Sequence, residues 1–275
     1  MPLSYVLLIL LLFCSSVSFA LEPKVVSFPN GNLTLRGELF LPAGDGPFPI
    51  VLYNHGSAPK MWNSEASAAI APMFVSKGWG FFMPYRRGQG LSEDQGDYIM
   101  DKIQAARWWL FESSTNIMVE LLKTDHFSDQ MAALNWLKSQ DFAQKERIAA
   151  MGNSFGGIQV ALGMATNLYC AGVDAAGAAE SWNDSVALQL LMKTSVKKSK
   201  NPIFFFQAEN DYDISPSKEL FSEMVGSIKK SKLKIYPSYG ASHKEGHSFA
   251  YRGTSIWFND VYSFLAENCP AQNPN

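Results

Sequence analysis

Gly152-Asn153-Ser154-Phe155-Gly156 reads G-x-S-x-G, a spacing that suits a serine on a tight turn. Small residues on either side permit the close backbone approach such a turn demands. The strand-like run Arg147 to Met151 precedes it, and helical spacing runs from Phe155 to Ala165. A hydroxyl held between a strand and a helix start is placed for nucleophilic attack, because the helix N-terminus favours developing negative charge. A three-residue signature arises often by chance, so its partners decide. A serine near its free pKa needs a base. The candidates are His55, His126, His243 and His247. His55 ends a short apolar run, and His126 precedes a helix ahead of the serine. His243 and His247 follow the last predicted strand, in the Gly- and Ser-rich loop Ser238 to Ser248. His247 is the expected base and His243 its competitor. A base needs a carboxylate to hold its tautomer and stabilise the imidazolium. Asp211 stands just past the Phe204-Phe205-Phe206 run. Glu209 and Asp213 are alternatives, and either can instead cap the helix starting near Pro216. Two N–H groups are needed for an oxyanion, and those of Phe155 and Ser57 are the expected donors.

Positioning these groups requires a sheet. Val25 to Phe28 and Leu33 to Leu41 alternate around Asn30-Gly31, which predicts a hairpin. Short apolar runs at 50–53, 80–83, 147–151, 171–176, 203–207 and 232–236 predict further strands. Helical spacing covers 66–77, 97–123, 129–139, 155–165, 216–228 and 255–267. Alternating strands and helices predict an α/β fold. Its central sheet is mostly parallel, with an antiparallel N-terminal hairpin and helices on both faces. Ser154, Asp211, His247 and the Ser57 and Phe155 N–H groups then fall at the carboxyl edges of strands. No repeat or linker divides residues 21–275, which read as one domain. The stretches 92–125 and 180–200 are candidate cap or pocket elements. They include Trp108, Trp109, Phe111 and Trp182.

Composition narrows the function. The chain has 275 residues, with 23 Lys and Arg against 25 Asp and Glu, for a net charge of −2. That balance supplies no electrostatic pull towards nucleic acid. Residues Met1 to Ala20 carry no ionisable side chain and end in Ser18-Phe19-Ala20. They predict an export signal, cleaved near Ala20, and a secreted or periplasmic protein without a stable membrane span. An uncleaved N-terminal anchor is the alternative. Of three cysteines, Cys170 and Cys269 remain after cleavage and can pair or stay free. His243-Lys244-Glu245-Gly246-His247 is not H-E-x-x-H, and Gly246 disfavours a helix there, so no metal site is expected. With no Walker-type loop or G-x-G-x-x-G, no cofactor is expected either. Arg87 is expected to anchor its loop by ion pairing.

The hairpin, His55-Gly56, Arg87-Gly88-Gln89-Gly90, Gly152 to Gly157, Glu209-Asn210-Asp211 and Gly246-His247 occur in order. Together they resemble an α/β-hydrolase, within it the dienelactone-hydrolase-like branch, over nearly all of residues 21–275. The founding dienelactone hydrolases use cysteine as nucleophile, whereas position 154 here is serine. The resemblance therefore implies a serine carboxylesterase acting on a small-molecule ester or lactone. A peptidase or amidase of the prolyl-oligopeptidase type is the alternative. A non-catalytic binding module on the same fold is a third.

Overall fold

In a computed structural model, the chain is described over residues 21–58, 65–109, 114–226, 228 and 230–271. The expected export signal over residues 1–20 lies outside the described residues. Strands are β1 Lys24–Asn30, β2 Leu33–Phe40, β3 Phe48–Asn54, β4 Gly80–Pro84, β5 Ala143–Asn153, β6 Gly172–Ala175, β7 Ile203–Ala208 and β8 Lys232–Tyr236. Helices are α1 Glu65–Val75, α2 Ile99–Trp109, α3 Ser114–Lys123, α4 Asp125–Lys138, α5 Phe155–Met164, α6 Val186–Lys198, α7 Ser215–Val225, α8 His243–His247, α9 Phe249–Arg252 and α10 Thr254–Asn268.

The strands form one sheet in the order β1-β2-β4-β3-β5-β6-β7-β8. β2 pairs antiparallel with β1 and β4, and every later pairing is parallel. The hairpin turns at Gly31, whose φ of 59° suits a glycine. In β3, Ile50 and Leu52 face one apolar cluster while Val51 and Tyr53 face another. This two-residue alternation buries both faces of the strand. The first cluster is completed by α4, α5, α6 and α7, the second by α1, α9 and α10. The expected fold class is therefore observed, with helices on both faces.

Two local expectations change. The helical spacing over 97–123 resolves into α2 and α3 rather than one helix. Ile99, Ile103 and Leu122 are buried in the first cluster. The side chains of Trp108, Trp109 and Phe111 lie outside the described residues. The expected loop Ser238 to Ser248 contains the short helix α8. A capping box forms it: Ser242 Oγ accepts from the Glu245 N–H, and Glu245 reaches back to the Ser242 N–H. Those bonds outweigh the low helix propensity of Gly246.

Cys170, just ahead of β6, is disulfide-bonded to Cys269 at the end of α10, with Cα atoms 5.3 Å apart. Among the described residues, no helix is long and apolar enough to cross a membrane.

Candidate active site

β5 is central in the sheet and ends at Asn153, and α5 starts at Phe155. Ser154 between them has φ 55° and ψ −120°. A non-glycine residue there is strained, and tight packing around it must hold the strain. Gly156 makes that packing possible, since a Cβ on it would lie 1.8 Å from the Asn54 carbonyl oxygen. β3 and the elbow thus touch backbone to backbone. Phe155, at the first position of α5, has no intrahelical partner for its N–H.

The loop after β3 is braced from beneath by Arg86. Its guanidinium is buried and donates to His55 O at 2.7 Å, Gly56 O at 2.5 Å and Gln159 Oε1 at 2.7 Å. It also lies 4.6 Å from the centre of the Phe155 ring. In a trans peptide the C=O and N–H point in opposite directions. Drawing the His55 and Gly56 carbonyls onto Arg86 therefore turns the Gly56 and Ser57 N–H groups away from it. Tyr98 Oη donates to Ser57 O at 2.5 Å and fixes the next peptide. Burial pushes Arg86 down to about 9, which still leaves a cation at neutral pH.

His55 completes this brace and is fully buried. Its Nε2 accepts from the Arg86 N–H at 3.3 Å, so its Nδ1 carries the proton and donates to Gly56 O at 2.7 Å. Burial and the Arg86 charge hold its pKa well below the ordinary histidine value. It is therefore a neutral, structural imidazole. Arg87 makes a different contact. It grips Asp129 of α4 through Nε at 3.0 Å and Nη2 at 2.7 Å, and meets Asp125 at 2.9 Å. This is the expected loop anchor. His126 belongs to the first turn of α4 rather than preceding it, 3.8 Å from Asp129.

On the other side of the sheet edge, His247 Nδ1 lies 2.8 Å from Asp211 Oδ1. Asp211 is buried and further held by the Tyr212 N–H at 2.7 Å and Gln207 Nε2 at 3.0 Å. Burial acts to lower the His247 pKa. The Asp211 hydrogen bond and charge, with the Glu180 charge, outweigh burial and raise it above 6.5. The competing residues are placed otherwise. His243 is exposed, with its Nδ1 3.1 Å from the Asn210 carbonyl oxygen and its ring stacked on Tyr212. Asp213 Oδ1 accepts from the Ser215 N–H at 2.8 Å, at the start of α7, and Glu209 is exposed.

Ser154 and the His247–Asp211 pair stand on loops from the carboxyl ends of β5, β8 and β7. No hydrogen bond joins Ser154 to His247, because Nε2 of His247 is buried and has no partner among the described residues. Glu180 Oε2 lies 3.7 Å from that nitrogen. Sequence reasoning did not single out Arg86 or Glu180. Arg86 carries no signal that separates it from Arg87 beside it. Glu180 depends on the path of a loop rich in alanine. Asp174, at the end of β6, was also missed. It is fully buried, accepts from the Gly177 N–H at 2.8 Å, and burial pushes it up to about 7. Among the described residues, no group of three or more His, Cys, Asp or Glu could hold a metal ion.

The prolyl oligopeptidase family model matches residues 115–187, which include Ser154 but neither Asp211 nor His247. No curated protein sequence matches the chain significantly. Solved structures do. An esterase of Pyrococcus furiosus superposes with a TM-score of 0.66 at 16% identity, covering 91% of this chain and 94% of that one. Pyrococcus horikoshii acylaminoacyl peptidase gives 0.66 at 17% identity, covering 94% of this chain but 43% of that one. Dienelactone hydrolase from Anabaena variabilis gives 0.62 at 18% identity, over 92% and 100% of the two chains. Sheet order, elbow and these superpositions agree: the chain has the α/β-hydrolase fold.

Proposed function

We propose that the protein is an exported serine hydrolase of the dienelactone-hydrolase-like branch, cleaving carboxylic esters or lactones through an acyl-enzyme. Ser154 Oγ attacks the carbonyl carbon while His247 Nε2 takes its proton. The carbonyl oxygen becomes an oxyanion facing the Ser57 and Phe155 N–H groups. Collapse breaks the bond to the leaving oxygen, which receives the proton from His247. Water then repeats the sequence on the acyl-enzyme, releasing acid and restoring Ser154. Asp211 holds the Nδ1–H tautomer and stabilises the imidazolium.

The observation that carries this reading is Ser154 at φ 55° on a strand-to-helix turn, beside loops bearing a 2.8 Å His–Asp pair. The reading requires a Ser154–His247 hydrogen bond to form when substrate binds; such bonds are often long in free enzymes. The Cys170–Cys269 bond supports export, since disulfides persist in oxidising compartments. Ser154→Ala should lower ester turnover at least about 1000-fold. A fluorophosphonate should label wild type at Ser154 alone. Retained turnover in the variant, or an unlabelled Ser154, would end this reading.

A peptidase reading of the same site is favoured by the family-model match over 115–187. Faster turnover of aminoacyl amides than of matching esters would establish it.

A further inference from the structure

Glu180 lies on the segment between β6 and α6, which is rigidly held. Ala176 and Ala178 are buried at φ 60° and 65°, a left-handed conformation that alanine rarely adopts. The Ala176 N–H donates to Phe206 O at 3.1 Å, and the Gly177 N–H to Asp174 at 2.8 Å. Past Glu180, Trp182 is buried and its Nε1 donates to Glu219 at 3.3 Å. Asn183 donates to Asp213 at 2.8 Å. Strain of this kind persists where a loop must present one residue in one place.

What is presented is a carboxylate, half-exposed, 3.7 Å from Nε2 of His247. Among the described residues it has no lysine or arginine partner and no hydrogen bond. Lys193, on α6, is taken by Glu219 at 2.6 Å. The Tyr212 ring also packs on His247, with ring centres 5.4 Å apart, and carries the His243 ring stacked on it. A half-exposed carboxylate next to the reacting nitrogen, with no lysine or arginine on it among the described residues, is the chemistry that attracts an ammonium group.

We propose that Glu180 selects substrates carrying an ammonium group within a few bonds of the scissile carbonyl, and disfavours anionic ones. This rests on Ser154 and His247 being the reacting groups. During the reaction His247 Nε2 sits within hydrogen-bond reach of both Ser154 Oγ and the leaving oxygen. Substituents close to the scissile bond are therefore close to Glu180. The ammonium can belong to the acyl part or to the alcohol part, and the test separates them.

The experiment compares wild type with Glu180→Gln on aryl esters of propanoic acid, alanine and succinic acid, which are neutral, cationic and anionic. A second arm uses acetyl esters of choline and of its uncharged carbon analogue. Thermal unfolding of the two proteins should coincide, since Glu180 is half-exposed. In the variant, kcat/KM should fall about tenfold on the cationic ester of one arm. Read on the pH plateau above the acidic limb, where the loss of the Glu180 charge beside His247 no longer alters the fraction of neutral base, it should rise severalfold on the succinyl ester relative to the neutral ones. The cationic preference should also weaken as salt is added. An equal change on all esters, or none, overturns the proposal while leaving the hydrolase reading intact. If wild type hydrolyses none of the esters, both fall together. A Glu180→Lys variant that does not reverse the charge preference would also overturn it.

Discussion

The elbow side of the candidate site is held by backbone and the histidine side by side chains. Ser154, Phe155 and the loop at Ser57 are set by a strained φ, by glycines without room for a Cβ, and by carbonyls drawn onto a buried Arg86. His247, Asp211, Tyr212 and Glu180 meet through side-chain contacts on loops that reach the solvent. The first arrangement fixes dipoles that need no reorganisation when charge develops. The second leaves a titrating group whose charge state its neighbours adjust. The contrast is sharpest in two adjacent residues. Arg87 is matched by two carboxylates, whereas Arg86 is matched at contact by backbone carbonyls and two side-chain amides.

That difference can be broken experimentally. Arg87→Met takes the cation off the buried Asp129 carboxylate, which keeps the Asn30 amide and the backbone N–H of residue 87, and should cost about 3 kcal/mol of unfolding free energy by denaturant titration. Arg86→Met frees the His55 and Gly56 carbonyls. Assayed below its melting temperature, it should lose about 100-fold in kcat with little change in KM. Affinity for a boronate that mimics the tetrahedral intermediate should fall in parallel. Equal losses in stability and activity from the two variants would erase the distinction.

The disulfide bears on the histidine side. Cys170 and Cys269 are 99 residues apart and bracket Glu180, Asp211 and His247, but not Ser154. Cys269→Ser should lower stability by about 3 kcal/mol, with amide exchange rising first within 170–269. Uniform acceleration across the chain would show that the two sides share one cooperative unit.

Two pH effects are smaller. A raised His247 pKa means the neutral base is gained only as pH climbs above 6.5, so the acidic limb of kcat/KM should lie above that value. Asp174 is raised to about 7 in the folded protein, so the folded state holds its proton longer than the unfolded state. Its stabilising contribution is complete below the unfolded carboxyl pKa near 3.8 and fades as pH rises to about 7. Relative to wild type, Asp174→Asn should gain a few degrees in melting temperature between pH 4 and 7 and no more above it. A difference independent of pH would place the charge of Asp174 elsewhere than in the folded core.

The sheet was legible because short unbroken apolar runs such as Ile50 to Tyr53 and Phe204 to Phe206 are local facts. So was the strand–Ser154–helix turn, and so were the two loops that bring Asp211 to His247. Arg86 was not, because its burial depends on β4 lying beside β3, a contact between distant segments. Glu180 was not, because two alanines occupy left-handed positions where glycine would have been the signal. The helix α8 was missed although Ser242 and Glu245 have capping-box spacing. Gly246 drew the reading towards a loop. Arg86 and Glu180 owe their roles to tertiary contacts, where local propensity yields.

The bond between Cys170 and Cys269 has a consequence for proteolysis. A single cut in any loop between those residues, including the exposed turns around His243 and Glu180, leaves two fragments covalently joined. Such a nicked molecule runs as one chain until it is reduced. Its severed histidine side stays tethered to the half that carries Ser154, free to reseat on the sheet it came from.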